Sequence, residues 1–262
     1  MEGKTIGLDI YAGSFVRYYA RNWKTVAQQF CEENGLQYSQ VSAQESDSEA
    51  EKASVEEIEQ AVNMWQNQLV SALQNSGIQA AKTWREDNET PYYTNKPDWD
   101  ALGALLLYAA GTLMQQRYPR TYKKNTKYQT VLEIMGVGKS PYHNWSLFSN
   151  VCHYIPIEDG FVFKYPLANG AEAMIGTTKC LKYELTKINE LGWKADEETI
   201  LSWSETEGYP AEAAMSGGKM MFLQMFQRQE YSTESLAKFA FSILWQAVAF
   251  AEKEQVAIIF DY

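Results

Sequence analysis

The densest set of reactive side chains near the start of the chain is Asp9, Tyr11, Arg17 and Tyr18, an acid, a base and two phenols within ten residues. Ligand sites are mostly apolar surfaces carrying a few convergent polar groups, and these residues on a ring-rich surface have that composition. His143 and Trp145, in a loop that contains Pro141, are the long-range complement. His143 is one of 2 histidines and the better placed to act as a base. The expected ligand-binding site is therefore Asp9, Tyr11, Arg17, Tyr18, His143 and Trp145. An Asp on a strand among Ile6, Leu8 and Ile10 needs a hydrogen-bonding or charged partner, and Arg17 or Arg21 is near enough in sequence to provide one. In the purely structural version of this reading, Asp9 and Arg17 hold the first loop and the rings simply pack.

Two segments approach phosphate-binding motifs. Gly136-Val137-Gly138-Lys139-Ser140 matches the second half of a P-loop, in which backbone N–H groups cradle phosphates and the Ser hydroxyl meets magnesium. Val256–Asp261 has the look of an apolar strand ending in the acid that assists it. Against this, Glu133 stands where the motif's first glycine belongs, and Pro141 interrupts the helix that should follow. A glycine-rich turn that binds no nucleotide is the expectation. Ile6-Gly7-Leu8-Asp9-Ile10-Tyr11-Ala12-Gly13-Ser14 resembles the first phosphate loop of the sugar-kinase and actin-like superfamily, where a strand carries an Asp into a glycine turn. Tyr11 occupies the glycine's place, the likeness covers under a dozen residues, and 262 residues are few for that two-lobed fold; no family is assigned on it.

His143, His153 and Cys152 together lack the short ligand spacing of a structural zinc site, so neither a metal nor a cofactor is expected. His153 reads as a packed strand residue. Cys31, Cys152 and Cys180 lie among apolar neighbours, unlike the electropositive setting of a nucleophilic thiol. Odd in number and widely spaced, they fit reduced thiols in a cytoplasmic protein. Met1–Thr5 leads into few apolar residues before Asp9, which gives no secretory signal, and Leu236–Ala251, broken by Lys238, Ser242 and Gln246, is too short to span a bilayer.

A net charge of −10, from 23 basic and 33 acidic residues, disfavours broad binding to nucleic acid or anionic lipid. The basic, tyrosine-interleaved stretch Arg117–Tyr128 has the makings of a grip on single-stranded nucleic acid, but is short in so acidic a chain and reads as a solvated connector. The acids concentrate at Glu45, Asp47, Glu49, Glu51, Glu56, Glu57 and Glu59, against Lys52 alone. They favour a helix dipole at its N-terminus, or a basic partner docking there. The segment 44–53 has almost no apolar surface to offset the entropy of ordering it and is expected to be mobile.

Hydrophobic residues at 45% and charged residues at 21% describe a packed globular chain, expected to be one domain over 1–262. Thr5–Tyr11 reads as a strand, Asn22 as a cap for a helix ending at Gly35, and Leu36–Val41 as strand-like. Ser54 and Glu57 form a capping box for a helix with Ile58, Val62, Trp65, Leu69 and Leu73 on one face. Asp98–Met114 is apolar nearly all round and belongs deep in the core. Tyr128–Ile134 is helix or strand. Val151–Ile155 and Phe161–Tyr165 look like a hairpin turned by Glu158–Gly160, with Ala173–Thr177 as a further strand. Helices are expected at Lys179–Leu191, Asp196–Trp203 and Thr233–Lys253, then a terminal strand at Val256–Phe260. Of the tryptophans, Trp65 and Trp245 belong to the core and Trp23, Trp99, Trp145 and Trp203 to element ends, with no pairing that marks a carbohydrate site.

The fold expected is α+β, a central mixed or mostly antiparallel sheet with several helices packed against it. Three functional classes stand open. The first is a non-catalytic binding protein for a basic protein partner or a small polar ligand, of which an immunity or inhibitor protein steered by charge is one instance. The second is a hydrolase or transferase with a site near Asp9, Arg17 and His143. The third is a nucleotide binder through Gly136–Ser140.

Overall fold

The computed structural model describes residues 7–37, 53–209 and 230–262. In chain order its elements are β1 (Asp9–Gly13), α1 (Phe15–Tyr19), α2 (Val26–Glu33), α3 (Val55–Asn75), β2 (Tyr93–Asn95), α4 (Asp98–Leu113), β3 (Thr121–Lys123), α5 (Tyr128–Met135), β4 (His153–Ile155), β5 (Val162–Pro166), β6 (Glu172–Thr177), α6 (Thr178–Leu191), α7 (Glu197–Thr206), β7 (Glu230–Ser232), α8 (Thr233–Glu254) and β8 (Ala257–Asp261). The class is α+β. A six-stranded sheet runs β2-β1-β8-β4-β6-β5, and β3 pairs with β7 in a separate two-stranded ribbon. Every pairing is antiparallel except β4 with β6.

Strand periodicity divides the core into two. Ile10, Ala12, Ile258, Phe260 and Tyr154 join one buried cluster, with α4, α6, α7 and α8. Their neighbours in sequence, Tyr11, Ala257, Ile259 and Ile155, join the other, with α1, α3 and the segment around Trp84. Successive strand residues point to opposite faces, so the sheet is covered on both sides. The larger layer follows from sequence directly. α4 is apolar all round, buries twelve of its residues and packs against α8. Gly103 on α4 leaves room for the Tyr122 hydroxyl and the Tyr128 ring, both of which a Cβ would strike.

The helix signals hold where they are local. Ser54 and Glu57 make the expected capping box and α3 buries Val62, Trp65, Leu69 and Leu73. Asp196 caps α7 through its side chain. Residues 128–135 form a helix rather than a strand. Three expectations are corrected. The cap of α2 is Thr25, in a capping box with Gln28, not Asn22. Leu36 and Gln37 form no strand; the remainder of that piece, and 44–52 of the acidic segment, lie outside the described residues. β4 and β5 are not a hairpin, because β6 lies between them: it pairs parallel to β4 and turns back onto β5 through the loop at Gly170, whose φ is +82°. Among the described residues no helix is long and apolar enough to cross a membrane.

Candidate functional site

β1, through Asp9 and Tyr11, and α1, through Arg17 and Tyr18, deliver the first four nominated residues to one end of the smaller layer. Tyr11 is fully buried, and Tyr18, Trp23 and Tyr92 gather around it with ring centroids 5.5, 4.9 and 5.9 Å away. Tyr18 and Trp23 stack on each other at 6.0 Å and 22°. Arg17 lies over Tyr92, its guanidinium carbon 5.2 Å from the ring centre. Tyr18, Trp23 and Tyr92 are partly buried. The result is a cluster of partly exposed rings around one cation, with Tyr11 as its buried floor.

The polar ends of this surface are anchored. Tyr11 donates its phenolic hydrogen to the Ser14 carbonyl at 3.0 Å. Tyr18 donates to Asp261 Oδ1 at 2.5 Å. Burial raises both phenols well above the ordinary tyrosine range. Arg17 donates through Nε at 3.0 Å and Nη2 at 2.5 Å to the Asn88 carbonyl. The expected Asp9–Arg17 pair is therefore not formed. Asp9 instead pairs with Lys96 Nζ at 3.3 Å, across the β1–β2 edge, and stands opposite Asp261 in the β1–β8 register. Burial raises the Asp9 carboxyl, with Lys96 opposing the rise and Asp261 adding to it.

What positions the surface is a residue the sequence does not single out. The segment from Trp84 to Tyr92 crosses the start of α1, and Glu86 is its buried anchor, 7% exposed. Its carboxylate accepts from the Val16 amide at 3.2 Å and from Trp84 Nε1 at 2.7 Å, and faces the Phe15 amide. Ser14, the cap of α1, donates to the Asp87 carbonyl; the Asp87 carboxylate accepts from the Glu89 and Thr90 amides. Asn88 then presents its carbonyl to Arg17 and its side chain to Asn22 at 2.9 Å. Burial, outweighing the donated hydrogen bonds, pushes the Glu86 carboxyl up to about 7.

His143 and Trp145 are elsewhere. Trp145 packs against the larger core cluster, on the other side of the sheet from Tyr11, with ring contacts to Tyr142 and Tyr183. His143 is exposed and its Nδ1 lies 2.8 Å from the Ser140 carbonyl. The structure thus brings Asp9, Tyr11, Arg17 and Tyr18 into one region and leaves His143 and Trp145 out of it. His153 stacks on Phe15 at 6.4 Å, and burial pushes it down to about 4.

Gly136–Ser140 lacks the strand–loop–helix geometry of a phosphate cradle. Gly136, at φ +79°, ends α5, and Val137–Lys139 form a single 3-10 turn. The Ser140 hydroxyl donates to the Val137 carbonyl at 2.7 Å, so it is engaged where a P-loop needs it free for metal.

Beneath Trp145 lies a second buried carboxylate that sequence reasoning missed. Glu184 of α6 accepts from the Ser146 amide at 2.5 Å, the Ser146 hydroxyl at 2.7 Å, the Leu147 amide at 3.0 Å and the Cys180 thiol at 3.2 Å. Burial raises its carboxyl. Burial and the facing carboxylate push the Cys180 thiol up to about 12, which holds it in its unreactive protonated form. The Glu184 position was readable, since Leu181, Glu184, Leu185 and Ile188 share one helical face. No group of three or more His, Cys, Asp or Glu is placed to hold a metal among the described residues. A cleft of about 380 Å³ opens beside the β3–β7 ribbon, between Arg120, Glu230, Tyr231 and Ser235, away from every nominated residue. Compared with protein-family models, curated proteins and solved structures, the chain finds no match in any of the three.

Proposed function

We propose that this protein is a non-catalytic binding protein whose recognition face is the ring cluster of Tyr18, Trp23 and Tyr92 around Arg17. The observation that carries the reading is a cluster of partly exposed rings whose polar ends are fixed. Arg17 and the hydroxyls of Tyr11 and Tyr18 are each tied to the protein's own backbone or carboxylates, so a ligand meets a preformed surface and orders little on arrival. Rings with polar tips beside an arginine are the residue types that carry most binding energy at interfaces. The groups best suited to chemistry are, by contrast, engaged: the Cys180 thiol by Glu184 and the Ser140 hydroxyl by a carbonyl. An active site built from Asp9, Arg17 and His143 would have to join two faces of the sheet.

The occupant of this face in this reading is a small polar ligand. A basic protein partner, in keeping with a net charge of −10, would instead meet the acids at the start of α3, Glu56 and Glu57. The setting is cytoplasmic, in keeping with free Cys31, Cys152 and Cys180. The test is a titration of the ¹⁵N-labelled protein with a panel of defined small polar probes, neutral oligosaccharides and dicarboxylates among them. Saturable shifts at the Trp23 indole and the Tyr18 and Tyr92 amides are expected from at least one probe, and Trp23→Ala should abolish them while circular dichroism stays that of the folded protein. Saturable shifts confined to another surface, or unaffected by Trp23→Ala, would overturn the assignment.

A further inference from the structure

We infer that the recognition face is regulated by pH, with the segment from Trp84 to Tyr92 acting as a clamp whose latch is the Glu86 carboxylate. The inference rests on the binding reading only for its consequence, since the latch is a property of the free protein. Its geometry is that of a junction. One buried carboxylate accepts from the Val16 amide on α1 and from the Trp84 indole on the clamp, and faces the Phe15 amide. Two residues further on, the same segment supplies the Asn88 carbonyl that holds Arg17, and then the Tyr92 ring under the guanidinium.

An ionised carboxylate serves such donors with two acceptor-only oxygens. Once protonated, one oxygen becomes an O–H donor, and the N–H group it had received is left facing another hydrogen. A buried donor without an acceptor is costly, so the start of α1 and the clamp must shift against each other. Arg17, bonded to the clamp but rooted in α1, spans that movement. The latch is thereby coupled to the Arg17–Tyr92 contact through two hydrogen-bonded steps.

The surroundings leave Glu86 to set the response. Tyr11 faces it from β1 and Tyr19 from α1, both raised by burial and neutral across the physiological range. Asp87, on its own segment, repels its charge. α3 contributes neutral groups only against this segment: Gln66 donates to the Trp84 carbonyl at 3.1 Å and Trp65 meets the Trp84 ring edge-on. Arg17 is turned to Asn88. His153, behind Phe15, is held down to about 4 and stays neutral through the relevant interval, whereas Glu86 itself is pushed up to about 7.

The experiment follows the Trp84 indole N–H and the Val16 amide of the full ¹⁵N-labelled chain between pH 5 and pH 9 (roughly two pH steps either side of neutrality), with no ligand present. Both should titrate with one midpoint near 7, and the Arg17 Nε–H and Trp23 indole should move with the same midpoint. Glu86→Gln should remove the common titration. Trp84→Phe, which deletes one donor to the charged form, should move the midpoint seen at Val16 to higher pH. Flat Trp84 and Val16 signals, or an unchanged midpoint in Glu86→Gln, would overturn the latch. Titration at Val16 and Trp84 without movement at Arg17 and Trp23 would overturn its coupling to the face. Failure of every probe to bind would strike the binding reading and leave the latch standing.

Discussion

Glu86 and Glu184 are the same device built twice, one on each side of the sheet, and the difference between them lies in what each one fastens. Both are buried carboxylates that gather backbone amides from a neighbouring segment. Glu184 accepts four hydrogen bonds, from two amides, a hydroxyl and a thiol, and ties the loop at Ser146 to α6 beneath Trp145. Glu86 receives the Val16 amide and the Trp84 indole, faces the Phe15 amide, and ties a long segment to α1 beneath the ring cluster. The charge with more donors is the quieter one. A carboxylate with four donors is a staple, while one with fewer donors is poised to take up a proton.

The largest effect that would break this contrast is expected at Glu184. Glu184→Ala strands two amides, a hydroxyl and a thiol in the interior and should cost at least about 3 kcal/mol in urea unfolding. A loss under about 1 kcal/mol would mean that the loop at Ser146 is held by its apolar contacts alone. Glu86→Ala should cost less at neutral pH, about 2 kcal/mol, because the change also relieves a poorly solvated charge.

The pH dependence sharpens the contrast further. A carboxyl raised in the folded protein binds its proton more tightly there than in the unfolded chain, so the folded state gains stability as pH falls from about 7 towards the ordinary value of 4.5. The wild type should therefore gain up to roughly 3 kcal/mol over Glu86→Gln across that interval. Parallel stability–pH curves for the two proteins would remove Glu86 as the source. At the smallest end, Cys180→Ser should change stability by no more than about 1 kcal/mol, and iodoacetamide should label Cys31 well before Cys180. Rapid labelling of Cys180 would show that Glu184 does not hold its thiol protonated.

Much of the fold was legible because its signals are local. The Ser54–Glu57 capping box, the all-round apolar character of Asp98–Met114 and the unbroken apolar run Val256–Phe260 each act over a short stretch, and each element formed close to where it was expected. Strand pairing was not. Glu158–Gly160 has the composition of a hairpin turn, yet β6 takes the place between β4 and β5, because pairing is decided across the sheet and not at the turn. The site divides the same way. Asp9, Tyr11, Arg17 and Tyr18 are close in sequence and stay close in space. Their partners come from far along the chain: Lys96 for Asp9, Asn88 for Arg17 and Asp261 for Tyr18. Glu86 carries no periodic signal at all, standing between Arg85 and Asp87 among other charged and polar residues. Glu184 did carry one, an acid on the apolar face of α6.

The measurement closest to the central claim is a carbon-13 titration of the side-chain carboxyls of Glu86 and Glu184 in the same sample, read together with the Trp23 indole. Glu86 should titrate with a midpoint near 7, Glu184 at lower pH because four donors stabilise its charge, and Trp23 should follow Glu86. If Glu86 titrates in the ordinary carboxylate range, or if Trp23 ignores it, the latch beneath the recognition face does not exist.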